Sequence, residues 1–351
     1  MSRLDELIQE LCPAGVELRK IKEVYTRLKG TPITAGKMKE IDNPNGDIKV
    51  FAGGKTVIKA FEEDIPRANI IRVPAVLVQS RGVIDAVYYE EPFTFKNEMW
   101  AYTADEKTSV KYLYYVLKNN IQQFRVAASG MGSMPQISLK VTEEFIIPVP
   151  PLPVQSEIVR ILDNFTELTA ELTAELTAEL TARKQQYEYY RDSLLTFGDD
   201  VPLVTLGEIA AIVRGGNFQK KDFTETGVPC IHYGQIYTKY GLSATETITF
   251  INEIVAKKSK FASKNDIVMA VTSENIEDVC KCVVWLGEDD AAISGHTAII
   301  KHNQNSKFLA YYFHTYMFFK DKIKLAHGTK VIEVTPSKLA DIKIPLPSLD
   351  E

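Results

Sequence analysis

Apolar positions near the middle of the chain step by three and four residues: Ile158, Ile161, Phe165, Leu168 and Leu172, and then Tyr187, Tyr190, Leu194 and Phe197. That spacing predicts one long amphipathic helix carrying a coiled-coil seam. Between the two sets lies TELTAELTAELTAELTA, residues 166–182, in which Leu168, Leu172, Leu176 and Leu180 recur strictly every four. At about 100° per residue, each four-residue unit turns the apolar face by roughly 40° and adds about 6 Å. Four residues inserted into a heptad pattern form a stutter, which locally unwinds a supercoil. The number of units therefore sets both distance and rotation between whatever stands at the two ends. Glu167, Glu171, Glu175 and Glu179 are like charges at i,i+4, which costs an isolated helix a few tenths of a kcal/mol per pair. From Val154 to Phe197 the helix is expected to run roughly 65 Å, so it needs another helix beside it.

The flanking regions have a different texture and resemble each other. Val16-Glu17-Leu18 and Val201-Pro202-Leu203 lie 185 residues apart, while Tyr114-Tyr115 and Tyr311-Tyr312, like Ile147-Pro148-Val149-Pro150 and Ile344-Pro345-Leu346-Pro347, lie 197 apart. Such self-similarity predicts a duplicated domain, suited to two half-sites or a pseudo-symmetric partner. Within each half, Ala75-Val76-Leu77-Val78 and 266–271 read as short buried strands, and 111–124 and 307–319 as helices with aromatic faces. The expected class is α+β, with two similar domains joined by a long coiled-coil-forming helix.

Charge sharpens this picture. The net charge is −5, yet residues 1–150 carry 20 Lys+Arg against 19 Asp+Glu and residues 199–351 carry 17 against 19, while 151–198 carry 4 against 8. The outer regions are near neutral, so contact with a polyanion requires a localised basic face. One base pair of duplex turns by about 34–36°, given about ten per turn, so a spacer adding roughly 40° per unit suits two readers following a groove. The rise per unit exceeds that of one base pair.

Other chemistries find little support. Cys12, Cys230, Cys280 and Cys282 form no C-x-x-C pair and read as reduced structural thiols. Gly54-Lys55-Thr56 lacks a P-loop's first glycine, where Lys49 stands. His232, His296, His302, His314 and His327 show no ligand spacing, and His314 reads as a hydrogen-bonded structural residue. Tyr112, Tyr114, Tyr115, Tyr311, Tyr312 and Phe313 read as core, not as base-stacking platforms. No run approaches the 18–20 apolar residues of a membrane span, and the charged start MSRLDELIQE is unlike a signal peptide. The expected location is cytoplasmic.

Residues 147–163, IPVPPLPVQSEIVRILD, together with the TAEL units and the run 183–192, RKQQYEYYRD, resemble the central region of type I restriction-modification specificity subunits, and the likeness extends along the whole chain. It implies target recognition domains at 1–152 and 199–351, each reading half of a bipartite double-stranded DNA target, separated by a conserved helical spacer at 153–198. It implies a noncatalytic chain that docks methyltransferase subunits and, through the complex, restriction subunits. S-adenosylmethionine, ATP and magnesium would belong to those partners, with no cofactor or metal in this chain. No Asp/Asn-Pro-Pro-aromatic motif or nuclease carboxylate cluster is found. The family usually has a second conserved helix after the second recognition domain, whereas this sequence stops at Leu346-Pro347-Ser348-Leu349-Asp350-Glu351. The expectation is a truncated gene or a helix supplied by another chain, including an antiparallel homodimer. Packing would use Ile158, Ile161, Phe165, Leu168, Leu172, Leu176, Leu180, Tyr187, Tyr190 and Leu194. A self-assembling coiled-coil scaffold with protein-binding end domains is the alternative.

For DNA contacts, phosphates call for Lys, Arg or backbone N–H, and base edges for polar side chains on loops that enter a groove. Glycine-opened loops let the backbone approach. In the first half these are Gly53-Gly54-Lys55-Thr56, Arg81-Gly82 and Gly130-Met131-Gly132-Ser133. In the second they are Arg214-Gly215-Gly216-Asn217 with Gln219, Lys220 and Lys221, then Ser294-Gly295-His296-Thr297, and His327-Gly328-Thr329-Lys330. The candidate contacts are therefore Lys55, Arg81, Ser133, Arg214, Asn217, Gln219, Lys220, Lys221, His296 and Lys330.

Overall fold

A computed structural model describes residues 2–128 and 134–348. The chain divides into two compact units, Met1–Glu175 and Leu176–Glu351. One 43-residue helix, Leu152–Leu194, crosses the division, about 65 Å of continuous helix at 1.5 Å per residue.

In the first unit a four-stranded sheet runs Thr26–Leu28, Trp100–Thr103, Ala75–Gln79, Asp85–Tyr89, all antiparallel. A three-stranded sheet runs Val57–Ala60, Ile48–Phe51, Phe93–Phe95, its last pair parallel. In the second unit, Ala210–Arg214, Thr297–His302, Ile267–Ala270 and Cys282–Trp285 repeat the first order, with Ser243–Ala244 added at the edge. There too a second sheet contains a parallel pair, Val228–Ile231 with Ala291–Ile293. The duplication read from the sequence is a duplication of topology.

Its sharpest expression is a two-stranded ladder closing each domain. Leu18–Lys20 pairs antiparallel with Ile146–Pro148, Leu18 opposite Pro148. Leu203–Thr205 pairs with Lys343–Pro345, Leu203 opposite Pro345. Ile147 and Ile344 point inward from these strands and are fully buried. The flanking bonds repeat as well: Val149 N–H donates to Glu17 O at 2.8 Å and Leu346 N–H to Pro202 O at 3.0 Å. After each first strand comes one helical turn with a carboxylate at its third position, Glu23 or Glu208, that accepts the backbone N–H of Lys20 or Thr205. In the first domain Lys20 and Lys22 also hold Glu144, whose carboxyl is pulled down to about 2 by these two ammonium donors.

The long helix begins on buried Val154, Gln155 and Val159. Gln155 donates to Pro150 O and accepts from Ser109 Oγ, each at 2.8 Å, which locks the first turn to the helix Lys107–Asn119. Leu7 and Cys12, from the N-terminal helix Arg3–Leu11 and its cap, pack with Leu4 and Val16 against Val154 and Ile158. Ile158, the first residue of the expected partner seam, is half-buried against this cluster. Farther along, Phe165, Leu168, Leu172, Leu176, Leu180, Tyr187 and Tyr190 are exposed, each by half or more of its surface. Ile161 is half-buried, and Leu194 points outward while its neighbour Leu195 joins the second domain's core.

The strands expected at Ala75–Val78 and 266–271 are present. The two aromatic helices are each broken in two. Lys107–Asn119 gives way to Ile121–Val126 at Asn120, whose side chain donates to Val116 O. Ser306–Tyr312 gives way to Tyr316–Leu325 because the Thr315 hydroxyl accepts the Phe318 N–H and starts a new helix. Tyr112, Tyr312 and Phe313 are buried, whereas Tyr311 is exposed. His314 Nδ1 lies 2.7 Å from Ala310 O. Among the described residues no helix is long and apolar enough to cross a membrane.

Candidate nucleic-acid interface

In the first domain the strand Ile48–Phe51 runs out into Gly53 and Gly54, the latter at φ +74, a conformation that favours glycine. Gly54 N–H donates to Arg81 O at 2.9 Å, and Gly82, at φ +77, donates to Pro135 O at 2.9 Å. A Cβ on Gly82 would sit 3.4 Å from the Gly54 backbone. The structure thus brings together two loops that are separate in sequence, with Lys55 and Arg81 both exposed. The third, containing Ser133, lies outside the described residues.

The same patch includes a turn that no local sequence signal marks. Lys96 N–H donates to Phe51 O, and Lys96 Nζ pairs with Glu98 Oε1 at 2.9 Å. This turn corresponds to Ser294-Gly295-His296 of the second domain. Thr31 bridges Lys96 as Gly216 bridges Ser294, both in parallel. At the glycines just before those bridges, a Cβ on Gly30 or Gly215 would fall 2.1 Å from Phe95 O or Ser294 O. Only the second copy displays a glycine in the turn itself, so only that copy is legible from sequence; aligning the halves would find the first.

In the second domain Arg214 Nε donates to Gly295 O at 3.0 Å, and its Nη2 pairs with Glu333 Oε1 at 2.6 Å. Glu333 exchanges backbone hydrogen bonds with His327, forming a hairpin with exposed Lys330 in its turn and Gly328 at φ +107. Arg214 therefore ties three loops together. Its side chain stays 45% exposed beside that carboxylate. The Cβ position of Gly295 is 3.1 Å from Asn217 Oδ1, and exposed His296 places Nδ1 3.1 Å from Thr272 Oγ1. Arg214, Asn217, His296 and Lys330 consequently share one edge.

Gln219, Lys220 and Lys221 follow on a short turn closed by the Asp222 carboxylate, which accepts the Gln219 N–H at 2.8 Å. Asn217, Gln219 and Lys221 line a cavity of about 370 Å³ with Lys258 and Ser259. His232 is buried among Phe218, Phe223 and Tyr233, and Tyr233 stands 4.9 Å from the His296 ring. Burial pushes the His232 imidazole down to about 4, and the nearby charges of Lys220 and His296 push the same way. The row His232, Tyr233, His296 links Lys220 to the Arg214 cluster. Nothing in the spacing of His232 and Tyr233 marks them, since their neighbours come from distant strands.

The geometry defines a duplicated α+β domain with polar loops gathered where strands end in each copy. Among the described residues no cluster of His, Cys, Asp and Glu could hold a metal ion. The profile of the family described as type I restriction modification DNA specificity domain matches residues 13–182 and again 198–351, and the chain belongs to that family. The EcoR124I/EcoR124II specificity subunit of Escherichia coli is 34% identical over 264 residues, covering 70% of this chain and 61% of that protein. The MjaVIII specificity subunit of Methanocaldococcus jannaschii is 27% identical over 258 residues, 68% of this chain and 60% of that one. The matches thus span about three fifths of these relatives. A chain from solved work on complex assembly and conformational transition of the type I R-M system shares the fold, with a TM-score of 0.61 at 16% identity, over 96% of this chain and 87% of its own.

Proposed function

We propose that this chain is the sequence-reading subunit of a type I restriction-modification complex and performs no chemistry itself. The observation that carries this reading is the duplication: one topology built twice, each copy gathering glycine-opened polar loops at its strand ends, joined by a helix of regular four-residue units. On this reading 1–152 and 199–351 each recognise half of a bipartite duplex target through Lys55, Arg81 and Ser133, and through Asn217, Gln219, Lys220, Lys221, His296 and Lys330. Arg214 holds the second set in place. The spacer 153–198 sets the gap between half-sites.

Its exposed stripe from Phe165 to Tyr190 docks methyltransferase subunits, which would supply S-adenosylmethionine binding; restriction subunits joining the complex would use ATP and magnesium. The setting is the cytoplasm. The stripe also favours a second reading of its occupant, the same helix of another copy lying antiparallel. Sedimentation of the purified chain separates the two, because a monomer across micromolar concentrations rules out the pair.

The decisive experiment reconstitutes the chain with methyltransferase subunits and maps methylated sites. A bipartite target is expected, and removal of one unit, residues 173–176, should shift the tolerated gap between its halves. An unchanged gap would overturn the spacer role, and methylation without sequence preference would overturn the whole reading.

A further inference from the structure

Arg125 and Lys322 are 197 residues apart, the interval that also relates the paired tyrosines and the closing strands of the two halves. Both do the same thing. Arg125, on the helix Ile121–Val126, donates Nε to Ile84 O at 3.1 Å. Lys322, on Tyr316–Leu325, donates Nζ to Glu277 O at 2.9 Å and to Val279 O at 2.5 Å. Each carbonyl belongs to the loop between the equivalent strands of its domain: 80–84 after Ala75–Gln79, and 274–281 after Thr272–Ser273. Among the described residues neither cation takes part in an ion pair.

Lys322 is only 5% exposed. Burying an ammonium is costly unless its donors are satisfied, and an apolar residue of like size would fill the space more cheaply. Here the donors are spent on main-chain carbonyls, so what the lysine supplies is loop geometry. The rest of that loop is equally restrained. Asn275 and Asp278 exchange hydrogen bonds of 2.8 Å, Cys280 holds φ +68, and its N–H donates to Ala270 O at 2.8 Å. Glu274 and Asn275 remain exposed at its start, directly after Thr272, which meets His296. In the first domain the corresponding exposed residue is Arg81, held against Gly54.

We propose that Arg125 and Lys322 are positioning residues for sequence discrimination, each fixing the strand-joining loop of its own domain in the geometry that meets base edges. The assignment rests on the reading that each domain recognises one half-site. A loop already held in its bound shape loses less ordering entropy on binding and rejects a mismatched base more sharply.

The test uses the assembled methyltransferase complex and duplexes carrying single-base changes in one half-site at a time. The quantity read is the ratio of methylation rates on cognate and changed duplexes. Lys322→Met should lower that ratio about tenfold for the half-site of the second domain and leave the other intact, since one good base contact discriminates by about five- to a hundredfold. Arg125→Gln should do the reverse, and Lys322→Arg and Arg125→Lys should recover most of the loss. A role in stability alone would slow cognate and changed duplexes together and leave the ratio fixed. Arg125 is exposed, so R125Q is the arm free of folding failure; an unchanged ratio there, or equal losses at both half-sites, overturns the proposal. A wild-type complex indifferent to both half-sites would instead refute the underlying function.

Discussion

Tyr115 donates its hydroxyl proton to the Asp163 carboxylate at 2.6 Å, joining the aromatic helix of the first domain to the fourth turn of the long helix. Lys111, one turn before Tyr115, reaches the other oxygen of the same carboxylate at 2.8 Å. The direction in which the helix leaves the domain is thus fixed by an acid and two donors, beyond the apolar contacts of its first turns. Tyr115→Phe should lower the urea stability of the first domain by about 1 kcal/mol, the usual net worth of one such bond. Asp163→Ala should cost more, since it frees both donors. Equal midpoints for Asp163→Ala and wild type would show that the junction is held by Gln155 and Val154 alone.

Lys220 and Lys221 are exposed, and among the described residues neither forms an ion pair. Replacing both by Ala should weaken binding of the assembled complex to all duplexes alike. It should also flatten the dependence of log affinity on log salt by about 0.9 for each phosphate that is no longer neutralised. The check is a salt titration on cognate and unrelated DNA, and an unchanged slope removes this turn from the interface.

His232 should make the second domain sensitive to mild acid. Its imidazole titrates at about 4 in the fold and near 6.5 when unfolded. Between those values the unfolded chain binds the extra proton, so stability is complete above about pH 6.5 and falls as pH drops toward 4, by an amount of order 2 kcal/mol. Thermal melts from pH 7 to 4.5 should show this slope, and His232→Gln should reduce it, leaving the share of His302 and His314, whose imidazoles burial also pushes down. A slope undiminished in the variant would place its origin elsewhere.

Leu172 and Leu176 are each more than half exposed. Changing both to Glu should leave the melting of the isolated chain nearly unchanged, because no packed core is disturbed. The same change should abolish co-purification with methyltransferase subunits, since the stripe would carry charge at its centre. Intact assembly of the doubly charged variant would move the docking site off the helix.

What the sequence reveals and what it hides follow one rule. The long helix is legible because its pattern is local: every turn repeats the signal. The paired domains are legible because Ile147-Pro148 and Ile344-Pro345 repeat within one chain. Breaks at Asn120 and Thr315 are not, since a side chain that caps a helix looks like one that sits inside it. Arg214 shows the larger limit. Its glycine neighbours are visible in the chain, whereas its partner Glu333 stands 119 residues away, and only folding brings that carboxylate to it. Lys96, His232 and Tyr233 are hidden for the same reason: distant strands make their surroundings.

The ladders that close the domains carry one more implication. Because Leu18–Lys20 lies directly against Ile146–Pro148, and Leu203–Thr205 against Lys343–Pro345, the chain enters and leaves each domain at adjacent positions, about 5 Å apart across paired strands. Nearly all the intervening polypeptide could be exchanged for a foreign cassette without moving the stem on which it sits, provided the three-residue strands keep their register. Recombination between genes at these two short stretches would then graft a new domain onto an old helix.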